Sequence, residues 1–128
     1  MIAVLDASAV LAALLDEPGG KIVEDLLEDA VICSVNLSEV ADGLARNGNS
    51  EIQSRALISA LGLTVVDADA ELALDAGFLR ARTTRYGLSL GDRFCFALGR
   101  RLAASVVTAD RIWEKAAAVA EVNVRLIR

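Results

Sequence analysis

Ser89-Leu90-Gly91-Asp92-Arg93-Phe94-Cys95-Phe96-Ala97-Leu98 runs on into Val106-Val107-Thr108-Ala109-Asp110. The first stretch reads as a helix and the second as a strand, with one acid opening the helix and another just past the strand. Ser89 is a favourable N-cap, and Asp92 stands three residues later, where a carboxylate completes a capping box. One and two helical turns on from Asp92 lie Cys95, Phe96 and Gly99, all uncharged. Arginines 93, 100 and 101 fall on another face. Asp92 therefore sits at the end of a stripe that reads as buried, and a carboxylate there is costly unless something pairs with it.

The same alternation extends in both directions. Ile2 to Leu5 is a short apolar run ending in Asp6, followed by a helix that Ser8 can cap and that reaches Leu15. Pro18-Gly19-Gly20 breaks the chain, Lys21 to Asp29 reads as helix, and Val31 to Cys33 as strand. Asn36 is placed as an N-cap with Glu39 three residues later. Leu37, Val40, Ala41 and Leu44 then mark one helix face, up to Arg46-Asn47-Gly48-Asn49. Further on come helix 51–61, strand 63–66, a long helix from Ala70 to Arg85, and the Asp92 helix. Strand Ser105–Thr108, helix Arg111–Val119 and strand Asn123–Ile127 complete the chain. Short apolar strands alternating with helices predict an α/β fold, a three-layer α/β/α sandwich around a mostly parallel sheet.

The length of 128 residues fits one domain, 1–128. Hydrophobic residues make up 55%, yet no apolar run approaches the ~18 residues of a membrane helix. The opening residues lack the basic region of a signal peptide, so cytoplasmic residence is the expectation. The net charge of −5 argues against binding nucleic acid through bulk electrostatics. It leaves open a substrate held through bound cations and a local arginine cluster. Cys33 and Cys95 lie in apolar segments and read as buried free thiols. There is no histidine, which removes histidine-based nucleophilic catalysis and histidine-ligated zinc. Any metal site must be built from oxygen, which points to Mg²⁺ or Mn²⁺.

In a parallel sheet, ligands bind beyond the carboxyl ends of the strands. Asp6 and Asp110 follow strands directly, and Asp92 and Glu39 each open a helix, so the fold crowds them onto one rim. Each also has a structural reading: Asp6 as a polar strand end, Glu39 and Asp92 as capping-box members, Asp110 as an N-cap. Together they need a counter-charge, because clustered carboxylates cannot all stay ionised without one. Bound Mg²⁺ or Mn²⁺ would supply it, would polarise a phosphodiester and would activate a water for attack. Glu39 fits least well, since an ideal helix puts it nearly opposite the apolar stripe. Ser8 and Thr108 can orient carboxylates or cap helices. Arg93 and Arg111 each follow an acid of the set and can hold substrate phosphates or be ordinary solvated charges. Trp113 reads as core or interface.

At Val4-Leu5-Asp6-Ala7-Ser8, Asn36-Leu37-Ser38-Glu39-Val40, Leu88-Ser89-Leu90-Gly91-Asp92 and Val107-Thr108-Ala109-Asp110 the chain resembles the PIN-domain family, in particular VapC-type toxins of toxin–antitoxin pairs. The order and spacing fit over essentially the full length. The resemblance implies a PIN-like sandwich and metal-dependent endoribonuclease activity. Its acids match Asp6, Glu39, Asp92 and Asp110, with the positions of Asp6 and Asp92 as the most direct Mg²⁺ ligands. It also implies an RNA substrate, a homodimer and a small cognate antitoxin over the site. Relatives with a further acid two residues after the last have Ile112 as the matching position here, so no fifth ligand is expected from it. Two other functions stand beside this one. A partner-binding module of the same fold with weak or no activity would bind no metal. An aspartyl-phosphate phosphohydrolase would be expected to place an aspartate where Ser8 stands.

Overall fold

The computed structural model describes residues 2–128; Met1, the first residue of the expected domain, lies outside them. The strands are β1 (Ala3–Leu5), β2 (Ala30–Cys33), β3 (Thr64–Val66), β4 (Ser105–Thr108) and β5 (Val124–Leu126). They pair in the order β3-β2-β1-β4-β5, with every pairing parallel. Parallel neighbours need crossovers, and helices supply them. These are α1 (Ala7–Leu14), α2 (Gly20–Leu26), α3 (Ser34–Arg46), α4 (Glu51–Ala60), α5 (Ala70–Phe78), α6 (Arg80–Thr83), α7 (Leu90–Leu102) and α8 (Trp113–Ala120).

Side chains of successive strand residues point to opposite faces, and the core divides accordingly. Val4 and Val106 join Phe96, Leu98 and Trp113 on one side. Leu5 and Val107 join Val10, Val23, Ile32 and Leu44 on the other. Trp113 is fully buried with its ring 4.8 Å from that of Phe96, which makes it core. Cys33 and Cys95 are buried free thiols, and burial pushes both well away from ionisation. Among the described residues no helix is long and apolar enough to cross a membrane.

Three local expectations are revised. α1 starts at Ala7 with Asp6 as its cap residue, so Ser8 lies inside the first turn and does not cap it. α3 starts at Ser34, directly out of β2, so Asn36 is also inside its helix and is fully buried. The long helix expected over 70–85 is interrupted: α5 ends at Phe78, α6 is one turn, and a 3-10 turn covers Thr84–Tyr86. The interruption has a tertiary cause. Arg93 Nη1 donates to the carbonyls of Ala76 and Gly77 at 3.0 and 3.3 Å. In an unbroken helix the Ala76 carbonyl would accept from the Arg80 amide.

The chain builds β1, β2 and β3 outward in one direction, then crosses to lay β4 on the other side of β1. The gap between the carboxyl ends of β1 and β4 is thus the point where the winding reverses, the place where open α/β sheets bind ligands. Asp6 and Thr108 stand at its two edges.

Candidate metal centre

Register places the first acid. Leu5 pairs with Val107, and the Asp6 amide donates to the Val107 carbonyl at 2.9 Å, so the Asp6 side chain emerges beside that of Thr108. Asp6 is only 6% exposed. Its Oδ2 accepts from the Ser8 hydroxyl at 2.7 Å and the Thr108 hydroxyl at 2.9 Å. Those hydroxyls in turn accept from backbone amides: Ser8 Oγ from Ala109 at 3.0 Å, Thr108 Oγ1 from Asp110 at 3.0 Å. A hydroxyl has one proton to give, so both protons are committed to Asp6. The ring of bonds locks the two strand ends around one carboxylate.

Asp92 is placed by the capping box that the sequence predicts. Its amide donates to Ser89 Oγ at 3.1 Å, and the Ser89 amide donates to Asp92 Oδ2 at 2.9 Å. Asp110, exposed, accepts from the Ile112 amide at 3.1 Å, but α8 begins only at Trp113 with Ile112 as its cap residue, so Asp110 closes the turn before the helix and does not cap it.

Glu39 departs from the helix-wheel expectation. It is half-buried, because α3 packs against α7 as well as against the sheet. Asn36 Nδ2 donates to Glu39 Oε1 at 2.8 Å and to the Gly91 carbonyl at 3.0 Å, so one buried amide straps α3 to the first turn of α7. Asn36 Oδ1 is buried without a partner. Gly91 leaves the space that Glu39 uses: a methyl group there would lie 2.8 Å from Glu39 Cδ and 2.9 Å from Oε1. The Asn36–Glu39 bond has the three-residue spacing already read in the sequence, whereas the bond from Asn36 to Gly91 has no local signal, since those partners are 55 residues apart.

Burial raises the carboxyl pKa of Asp6, with the Glu39 charge adding to it against the lowering effect of the two hydroxyls. Burial does the same for Glu39, with Asp92 adding and Asn36 opposing. Burial likewise raises Asp92, with Asp6 and Asp110 adding and the Ser89 amide opposing. The acids thus feel one another. Among the described residues, the ion pairs involve Asp42, Glu51, Glu121, Asp69 and Glu17, and none of the four rim acids.

Arg111 is exposed beside Asp110. Arg93 is not on the rim: it is 8% exposed and bound to the end of α5, away from any phosphate. Arg100 and Arg101 alone are exposed as the helix-wheel reading put them.

The donor set fits a hard divalent cation in kind: several carboxylates, two hydroxyls nearby, and no histidine. The spacing is not that of a closed cage. Among the described residues no three acidic, cysteine or histidine side chains already surround one point. An ion would have to draw the carboxylates inward. A recess of about 700 Å³ lies elsewhere, between α3 and α4, and includes none of the four acids.

The family model of the PIN domain matches residues 3–119. No curated protein matches the chain. Among solved structures, VapBC2 from Rickettsia felis, bound to a DNA fragment from their promoter, is similar at 18% identity and a TM-score of 0.77, covering 98% of each chain. DNA-bound VapBC from Salmonella typhimurium is similar at 20% identity and 0.71, covering 100% of this chain and 99% of that one. A toxin-antitoxin complex from Klebsiella pneumoniae is similar at 18% and 0.64, covering 84% and 86%. At these identities the likeness is one of fold.

Proposed function

The chain belongs to the PIN-domain family, and on that footing we propose that it is a Mg²⁺- or Mn²⁺-dependent endoribonuclease, the toxin of a toxin–antitoxin pair. The observation that carries the reading is the rim of Asp6, Glu39, Asp92 and Asp110. Burial, with neighbouring carboxylates adding to it, raises the cost of ionising Asp6, Glu39 and Asp92, and none of the four acids has a cationic partner among the described residues. A divalent cation is the missing counter-charge. Asp6 and Asp92 are its most direct ligands, with Glu39 and Asp110 completing the set. When bound, the ion supplies charge neutralisation at a phosphodiester and activation of a water.

The chain's own residues do the rest. Ser8 and Thr108 hold Asp6 on a fixed bearing. Ser89 holds Asp92, and Asn36 holds Glu39 over Gly91. In the hydrolysis, the water oxygen bonds to phosphorus as one bridging P–O bond breaks, and the proton the water gives up ends, by way of solvent, on the departing sugar oxygen, so that one product keeps the phosphate and the other a hydroxyl. The partners that fit this reading are RNA, a small antitoxin that covers the rim, and a second copy of the chain in a cytoplasmic homodimer. That one structural neighbour, from Klebsiella pneumoniae, is a toxin-antitoxin complex supports the antitoxin.

The test is RNA cleavage by the purified, antitoxin-free protein with Mg²⁺ or Mn²⁺, with EDTA, and with Asp92→Asn. Cleavage that disappears in both controls is the expected result. A partner-binding module with no activity has one observation in its favour, the absence of a preformed cage. It predicts no heat of Mn²⁺ binding and no cleavage of any RNA.

A further inference from the structure

The chain carries an excess of acid, yet its free cations are not spread evenly. Ion pairs occupy Arg46, Arg55, Arg100, Arg101 and Arg128 among the described residues, and Arg93 is buried. Of the exposed cations outside those pairs, Lys21 lies in α2 and Arg125 in β5. The others are Arg80, Arg82, Arg85, Arg111 and Lys115, on two elements that touch. α6 and the 3-10 turn after it pack on α8. Leu79, Tyr86 and Leu88 share a core cluster with Ile112 and Trp113, so the arginines stand around one apolar seam.

No acid occurs from Leu79 to Gly91. Arg82 turns towards α5, where it lines a small cleft with Asp75 and Arg100. Arg80, two positions earlier and so roughly opposite at about 100° per residue, points away from that cleft. Arg85 lies 5.9 Å over the Tyr86 ring, which restrains it. The two ends of this strip meet the acid rim through the chain itself. Arg111 follows Asp110, and the turn bearing Arg85 ends three residues before Ser89, whose amide holds Asp92.

We propose that Arg80, Arg85, Arg111 and Lys115 form a phosphate track along which an RNA strand is led into the acid rim. This rests on the ribonuclease reading above and deepens it. An acidic rim repels a polyanion, so a strand needs contacts beyond the scissile phosphate to stay in place. Contacts to phosphates fix register without reading bases. The substrate is therefore an RNA with several nucleotides flanking the cut, and a dinucleotide is a poor one.

The test uses the full chain carrying Asp92→Asn, so that binding is read without cleavage. Anisotropy of a fluorescein-labelled RNA is followed between about 50 and 200 mM KCl. Adding Arg80→Gln, Arg85→Gln and Arg111→Gln together should weaken binding about tenfold or more and flatten the log–log salt slope by about 2, since each lost contact to a single strand is worth ~0.7. All three side chains are exposed, and circular dichroism checks that the fold is intact. A control with Lys21→Gln and Arg125→Gln should bind as the parent does. The proposal is overturned if the triple variant keeps the parent's affinity and slope, or if the control loses as much. If the triple variant keeps RNA but loses a labelled oligoglutamate that the parent captures, the strip belongs to an acidic protein partner and the RNA proposal fails. If the parent binds no RNA, the track has no ligand. Cleavage of the same RNAs by the wild type then decides separately whether the ribonuclease reading falls too.

Discussion

Gly91→Ala separates the function of the rim from the stability of the fold. Gly91 is in the first turn of α7 with ordinary helical backbone, so alanine is conformationally welcome there. Helix propensity alone favours the change by up to about 1 kcal/mol. The new methyl would meet only the end of the Glu39 side chain, 2.8 Å from Cδ. Ordinary contact begins near 3.4 Å, so the carboxyl group must retreat by more than half an ångström. It can do so by rotating outward, at the cost of the 2.8 Å bond from Asn36. That charged hydrogen bond is worth about 1.5–3 kcal/mol net of water, at the low end because Glu39 is only half-buried, and the propensity gain offsets part of it. The net change in stability should stay within about 1 kcal/mol, or a few degrees in Tm. Activity should respond far more, because a misplacement approaching 1 Å costs on the order of 10²-fold. The assay is kcat/KM for RNA at fixed Mg²⁺ beside thermal unfolding by circular dichroism, repeated in a Glu39→Gln background. If Gly91 acts through Glu39, alanine at 91 should cost little more in that background. Wild-type cleavage by a folded Gly91→Ala protein would refute the reasoning, and so would a full additional loss in the Glu39→Gln background.

Three further outcomes follow from the same geometry. Asp6 has a raised pKa, so the folded state holds its proton to higher pH than the unfolded state does. Its contribution is neutral below the ordinary value of 3.8 and becomes destabilising as pH climbs through the raised value. Asp6→Asn should therefore raise Tm at pH 7 in EDTA, with the gain fading towards pH 4, and should abolish stabilisation by Mg²⁺; an unchanged Tm at pH 7 would count against it. Thr108→Val keeps the shape but removes the hydroxyl from Asp6 and strands the Asp110 amide. Urea melts should show a loss of about 1–3 kcal/mol, and metal affinity should fall with it. Arg93→Met frees the Ala76 carbonyl for the Arg80 amide. Hydrogen exchange at Arg80 should slow, while the salt dependence of RNA binding stays as it was; a flattened slope would put Arg93 back among the phosphate contacts.

What was legible in the sequence was what is local. The Ser89–Asp92 box closes over three residues, and the structure contains both of its bonds. The alternation of short apolar strands with helices announced a parallel sheet, and every described pairing is parallel. What failed had its cause far along the chain. At the break after Phe78, Arg93 takes the carbonyls of Ala76 and Gly77, and between Ala70 and Arg85 only Gly77 hints at it. Asn36 has the chemistry of a cap and the spacing to Glu39, yet its second partner is the Gly91 carbonyl, so a tertiary contact replaced a local one. Glu39 looked solvent-facing because a wheel knows only one packing partner, and α3 packs on α1, α4 and α7 as well as on the sheet. Arg93 looked like a surface charge for the same reason.

The placement of charge connects these points. Asp6, Glu39 and Asp92 are each destabilised by burial, and each is held by neutral donors: two hydroxyls, one amide side chain, one backbone amide. Neutral donors fix a carboxylate's direction without cancelling its charge. A lysine or arginine would have relieved the cost of burial, but it would also have occupied the position a divalent cation needs. The arginines that could have served are elsewhere. Arg93 is bound to helix carbonyls, Arg101 to Asp69, whose carboxyl it holds down to about 2. Arg80, Arg82, Arg85 and Arg111 stand outside the ion pairs among the described residues, on α6, the turn after it and the turn before α8. A sheet end that keeps its acids oriented but unneutralised, with unpaired cations on other elements of the chain, is what the proposed metal-dependent cleavage would require. A fold optimised for stability alone would have paired these two sets of charges with each other.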